Sequence, residues 1–201
     1  AHNPQLIVNS LKEANMGINV LICGVGGQGT VLAAKVLSQA ALVKGEHVLS
    51  AETIGMAQRG GSVVSHVRIG DNVYSPLIPE NEADIIIAFE AAEAVRNINY
   101  LKKGGMVIVN NKVVQPVTAS LTGKSFSEND MISFLEKNAE KVITVDTEKA
   151  CAELGSSKVA NMVLLGAATK TGLVEKDDLK AAIKMLVKPE FYELNCRAIE
   201  Y

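Results

Sequence analysis

Tryptophan is absent from the 201 residues, and aromatic residues of all kinds make up only 4%. A core for this chain must therefore be built from Val, Ile, Leu and Ala, the palette of sheets buried on both faces. The chain lacks any apolar run near the roughly 18 residues needed to cross a bilayer. It also lacks a basic stretch leading into a short apolar one, so no secretory signal is expected. Charge of one sign is not in excess: the formal net charge is −2 and the pI is about 6.0. That excludes a strongly basic footprint for nucleic acid or for an anionic membrane. Cysteines number three, Cys23, Cys151 and Cys196, far apart and odd in count, which argues against a disulfide framework. No CxxC occurs, so an iron–sulfur cluster held by this chain alone is not expected. A reducing, cytoplasmic compartment is the simplest reading.

What remains is an ordinary globular composition, 48% apolar and 21% charged, in a chain long enough for one domain with a sizeable core. Residues 1–16 read as a leader of undetermined origin, and residues 17–201 as one domain. The run INVLIC at 18–23 is short, apolar and β-branched, as a buried strand would be. Residues 30–43 are rich in Ala, Leu and Val without Gly or Pro and predict a helix packed between layers, with Gly45 as its stop. Further strands are expected at 47–53, 62–69, 84–89, 106–110 and 142–145. Residues 73–75 are expected to pair back on the third strand through the Gly70-Asp71-Asn72 turn, making the sheet mixed. Helices are expected at 90–101, 128–138, 148–154, 160–171, 176–187 and from 190 onward, and the long loop at 111–125. Strands alternating with helices predict a three-layer α/β/α fold around a mixed, mostly parallel, Rossmann-like sheet.

Two constellations carry chemistry. Gly24-Val25-Gly26-Gly27-Gln28-Gly29 lies between a strand and a helix, the setting in which GxGxxG has meaning. Glycines there permit a tight turn and a close ligand, and the N–H groups of the next helix favour an anion. Glu52 follows Gly29 by 23 positions, near where a dinucleotide fold places its ribose-binding acid. Close strand–helix packing, or contact with another subunit, would use the same glycines. The second constellation is the stretch 52–62, ETIGMAQRGGS, at the end of the next strand and so expected on the same sheet edge. Its Arg59, beside Gly60 and Gly61, suits a carboxylate or phosphate, as well as an exposed ion pair of little consequence. Gln58 and Ser62 complete this candidate set. His66 reads as a satisfied strand residue, and Glu90 as a helix N-terminal acid that would also reach the crevice.

Read together, GVGGQG and ETIGMAQRGGSVVSHVRIG resemble the gamma subunit of 2-oxoacid:ferredoxin oxidoreductases and the homologous beta subunit of indolepyruvate:ferredoxin oxidoreductase. ADIIIAFE at 83–90, NMVLLGA at 161–167 with Thr171-Gly172-Leu173, and PEFYELN at 189–195 extend the resemblance over about residues 17–200. It implies a subunit of an enzyme that oxidatively decarboxylates a 2-oxoacid to an acyl-CoA and passes electrons to ferredoxin. Thiamine diphosphate with magnesium and the iron–sulfur clusters would then sit on thiamine-binding and ferredoxin-like sister subunits. No cofactor is expected to be held firmly by this chain, and no turnover from it alone. The thiamine diphosphate pattern is not met: Gly70-Asp71-Asn72 and Asn110-Asn111 share pieces of it at the wrong spacing. Gly24, Gly26, Gly27, Gln28, Gly29, Glu52, Gln58, Arg59, Gly60, Gly61 and Ser62 become the candidate contacts for ligand or partner. A stand-alone NAD(P)-binding enzyme and a pure interaction module are the other readings. Uncovered partner surface would make a homodimer plausible in isolation.

Overall fold

The computed structural model describes residues 17–52, 61–111 and 127–201, together with Gln5. Among the described residues, six strands form one sheet: β1 (Ile18–Val25), β2 (Val48–Glu52), β3 (Ser62–Ile69), β4 (Ala83–Ala88), β5 (Leu101–Asn110) and β6 (Lys141–Val145). Their order is β2-β3-β1-β4-β5-β6. β1, β4, β5 and β6 pair in parallel, whereas β3 is antiparallel to both β1 and β2. Among the described residues, seven α-helices accompany them: α1 (Thr30–Val43), α2 (Ala91–Arg96) and α3 (Glu128–Asn138) between strands, then α4 (Thr147–Leu154), α5 (Ala160–Thr169), α6 (Lys176–Leu186) and α7 (Pro189–Glu200) after β6.

Alternation along the strands assigns side chains to two cores. Val20 and Ile22 of β1, Ile85 and Ile87 of β4 and Ile108 of β5 face α1 and α4 to α7. Leu21 and Cys23 of β1, Ile86 and Ala88 of β4 and Val107 and Val109 of β5 face α2 and α3. Burying each such Ile or Leu side chain contributes about 1.5–3 kcal/mol, so the central parallel strands dominate cohesion. The three-layer mixed sheet is thus the architecture expected from the alternation of strands and helices.

Several expected boundaries are corrected. Residues 73–75 form no strand; the mixed character comes from β3, which returns between β1 and β2. The helix expected at 90–101 is shorter: α2 ends at Arg96, a 3-10 turn spans Ile98–Tyr100, and β5 begins at Leu101. Gly104 and Gly105 lie inside β5, where Gly104 takes φ 81°. The strand expected at 106–110 therefore starts five residues early, its first half being a polar, irregular lead-in that hydrophobic pattern does not mark. The expected leader at 1–16 (Gln5 apart) and the loop expected at 111–125 (Asn111 apart) lie outside the described residues.

Candidate functional site: a glycine turn and a cleft at the sheet edge

β1 ends at Val25, and the chain turns into α1 through the glycines. Each glycine meets a different constraint. A Cβ on Gly24 would lie 2.7 Å from Gln28 Oε1, 2.8 Å from Thr30 Cγ2 and 2.9 Å from Phe89 Cβ, so packing demands its absence. Gly27 and Gly29 have φ of 100° and 84°, a left-handed region costly to side chains. Space around Gly27 is open, whereas a Cβ on Gly29 would meet Asn161 Nδ2 at 2.9 Å.

Gln28 is the fastener of this turn. Its Oε1 accepts from the Val25 N–H at 2.8 Å, and its Nε2 donates to Glu90 Oε1. Glu90 is buried at the end of β4 and precedes α2. The side-chain amide thus ties the turn after β1 to the turn after β4, the two parallel strands that meet at the centre of the sheet. The second constellation joins from the other side: the Gly26 N–H donates to the Gly61 carbonyl at 2.9 Å. Ser62 follows and donates its hydroxyl to Glu93, a buried carboxylate of α2 that also pairs with Arg96.

The strand order decides what Glu52 can reach. β3 lies between β1 and β2, so Glu52 ends a strand two places from the glycine turn, roughly 10 Å away across the sheet. It does not occupy the neighbouring-strand position from which a dinucleotide fold binds ribose. Gln58, Arg59 and Gly60 lie outside the described residues. His66 is buried on β3, where Nδ1 accepts from the Ile78 N–H at 3.2 Å and the ring meets Tyr100 edge-on. Burial lowers its pKa from 6.5, which fits a neutral, structural imidazole.

Beside the turn opens a cleft of about 900 Å³. It lies beyond the carboxyl ends of β1, β4 and β5, where α/β sheets place ligands. The first wall is Gly27, Gln28, Gly29 and Leu32; Phe89 and Asn110 form the floor. The opposite wall is α4, with Thr147 and Cys151, and residues 155–158. Asn110 is buried and anchored, donating to the Phe89 carbonyl at 3.1 Å and accepting from Thr147 Oγ1 at 2.9 Å. Asn161, at the start of α5, closes the corner next to Gly29. The sequence signals for Asn110, Lys158 and Asn161 were weak. They sit on three separate elements, and only the folded sheet edge gathers them.

Residues 19–201 match the family model described as pyruvate ferredoxin/flavodoxin oxidoreductase. The chain belongs to this family. It is 42% identical to the indolepyruvate oxidoreductase subunit IorB of Pyrococcus horikoshii over 90% of this chain and 92% of that one. It is 30% identical to the pyruvate/ketoisovalerate oxidoreductases common subunit gamma of Pyrococcus furiosus, with the same coverage of 90% and 92%. Among solved structures it resembles the keto/oxoacid ferredoxin oxidoreductase gamma subunit of Geobacter sulfurreducens, with a TM-score of 0.67, 26% identity and coverage of 91% and 94%.

Complexes of this oxidoreductase family use thiamine diphosphate and iron–sulfur clusters, and the described residues of this chain bring together no fitting site for either group. Cys23 is wholly buried in the sheet, and desolvation raises its pKa, the reverse of what a thiolate ligand needs. Among the described residues no three His, Cys, Asp or Glu side chains converge on a metal site. Gly70 packs on Gly17 at the start of β1, while Asn110 ends β5, so the two fragments of a thiamine diphosphate pattern sit at opposite sheet edges. Asn110 is the last residue of β5. No helix among the described residues is long and apolar enough to cross a membrane.

Proposed function

We propose that this gamma-type chain works in a multisubunit, cytoplasmic 2-oxoacid:ferredoxin oxidoreductase. The complex would convert a 2-oxoacid and CoA to an acyl-CoA and carbon dioxide, reducing ferredoxin with the two electrons released. Thiamine-binding and ferredoxin-like partner subunits would hold thiamine diphosphate, magnesium and the iron–sulfur clusters. The chain would be inactive alone and would self-associate, if at all, when those partners are missing. One observation carries the reading: the likeness to gamma-type subunits runs through nearly the whole chain, glycine turn included. The higher identity to the indolepyruvate subunit than to the pyruvate/ketoisovalerate subunit, 42% against 30%, favours an arylpyruvate as substrate.

On this reading the glycine turn (Gly24, Gly26, Gly27, Gln28, Gly29) and the second stretch (Glu52, Gln58, Arg59, Gly60, Gly61, Ser62) face the shared active-site region or a sister subunit. The Gly26–Gly61 hydrogen bond supports placing both stretches at one edge. The test is co-expression of the tagged chain with a thiamine-binding subunit and a ferredoxin-like subunit from the same organism. Co-purification is expected, with CoA-dependent ferredoxin reduction by indolepyruvate that the partner subunits do not give without this chain. Activity of the thiamine-binding subunit without this chain, or failure of the two to associate, would defeat the proposal. Within the assembled complex, Arg59→Ala should raise KM for CoA or the 2-oxoacid. Unchanged kinetics with normal assembly would remove Arg59 from the contact set.

A further inference from the structure

We propose that the loop between β3 and β4, residues 70–82, docks this chain onto a sister subunit, with Tyr74 and Leu77 as anchors that enter an apolar pocket rimmed by basic side chains. The proposal rests on the reading of the chain as one subunit of a larger complex. The loop runs from the end of β3 at Ile69 to the start of β4 at Ala83 without helix or strand. Connections of roughly 12–15 residues that lack secondary structure are uncommon in compact domains and tend to carry function. This one is also fixed in place. Val73 and Ile78 are buried and pin it at two points. Arg68 of β3 braces it: Nε donates to Asn19 Oδ1 at 2.8 Å, and Nη1 donates to the Ser75 and Leu77 carbonyls at 3.1 and 3.2 Å. The Ile78 N–H donates to His66 Nδ1 at 3.2 Å. Further along, the Asn81 N–H donates to the Asn99 carbonyl at 2.9 Å, and Asn99 Nδ2 donates to Glu80 Oε1 at 2.8 Å.

Between the two buried pins, the side chains that face water are apolar. Tyr74 is 89% exposed and Leu77 53%. Single apolar side chains on a surface are ordinary. Here two of them stand on one braced loop, with Pro76 between them to restrict the backbone further. Ordering a loop costs conformational entropy, and in this chain the loop is ordered before any partner arrives. A pre-organised aromatic anchor binds without that cost, and Tyr is enriched among the residues that dominate interfaces. Charge selects the partner. Asp71, Glu80 and Glu82 are exposed on the same loop, and residues 70–82 include no Lys or Arg. Two copies meeting loop to loop across a two-fold axis would bring these carboxylates together, which disfavours self-association. The complementary surface is therefore apolar at its centre and basic at its rim. This contact is separate from the cleft. Ile18 of β1 pairs with Ile69 beside the loop, whereas Val25 at the other end of β1 leads into the glycine turn, roughly 20–25 Å away along the strand.

The test is site-specific photo-crosslinking in the co-expressed complex, with Tyr74 replaced by a benzophenone amino acid. The expected product joins this chain to one sister subunit, identified by mass spectrometry. Tyr74→Ser combined with Leu77→Ser should weaken assembly of the full chain with its partner subunits roughly ten-fold or more. Its Tm should be unchanged, and so should the specific activity of the complex that does form. Asp71→Asn combined with Glu82→Gln should flatten the dependence of assembly on salt. A complex that forms without a cross-link from position 74, or a cross-link to a second copy of this chain, would overturn the docking role and leave the subunit role standing. Assembly of the double serine variant as tight as wild type, or a salt dependence that the charge substitutions leave unchanged, would do the same. Failure of the wild-type chain to assemble would instead defeat the subunit role, and the docking role with it.

Discussion

Gln28 shows how one side chain can set a loop. Its amide spends the acceptor on Val25 and a donor on Glu90, so it fixes the glycine turn against the neighbouring strand end. Substituting Ala would leave the Val25 N–H without its acceptor and take a donor away from a buried carboxylate. The expected cost is about 1–3 kcal/mol, a drop in Tm of roughly 2–10 °C for a chain of this length. Thermal denaturation of Gln28→Ala checks it, and an unchanged Tm would show that the fastening is redundant. The presence of Gln28 in a Gly-rich turn was plain in the sequence. Its partner was not, because Glu90 lies 62 residues away and meets it only through the parallel pairing of β1 and β4. The same pairing turns Glu90 from a simple helix-start acid into part of the turn's support.

At the scale of elements, the helices of the larger core are held by close approach as well as by apolar area. A Cβ on Gly166 of α5 would lie 2.4 Å from the Ile199 carbonyl oxygen, so α5 and α7 cross with backbone in contact. Glu200, at the end of α7, accepts from Lys176 at 2.7 Å and Lys180 at 2.6 Å, tying α7 to α6. Hydrogen bonds from Lys176 and then Lys180 pull its pKa from 4.5 down to about 2. A depressed carboxylate pKa stabilises the fold above the unfolded value and loses that contribution as pH falls towards the folded one. Wild-type stability should therefore decline between about pH 4.5 and 2 more steeply than that of Glu200→Gln. The difference should shrink at high salt, because the carboxylate is exposed and screened. Denaturant melts across this window check the sign; parallel pH profiles of the two proteins would refute it. Helix periodicity located α6 and α7 to within about a residue. Their ion pairs depend on the crossing geometry, which no local pattern encodes.

Across the whole molecule, the central sheet shields what lies on it. Cys23 is 0% exposed between β3 and β4, whereas Cys151 and Cys196 are partly exposed on helices. Burial also pushes the Cys23 thiol up in pKa, so the reactive thiolate is scarce. Alkylation under native conditions should modify at most Cys151 and Cys196. Modification of Cys23 should appear only as the protein unfolds globally, since no local opening frees a central strand. Mass spectrometry of the alkylated chain reads this directly, and early labelling of Cys23 would mean that the sheet opens at β1.

By itself the sequence determined the materials: an aliphatic core, alternating strands and helices, and two glycine-rich stretches placed after strands. These properties are local, because strand and helix periodicities and turn residues act over a few positions. Tertiary structure decided the order of the strands. By inserting β3 between β1 and β2 it moved Glu52 away from the glycine turn, and by pairing β4 with both β1 and β5 it brought Glu90 and Asn110 to it. α5 then packed Asn161 against Gly29. Strand order is settled by which pairings bury the most apolar surface with satisfied backbone hydrogen bonds, a sum over the whole chain that no single segment carries.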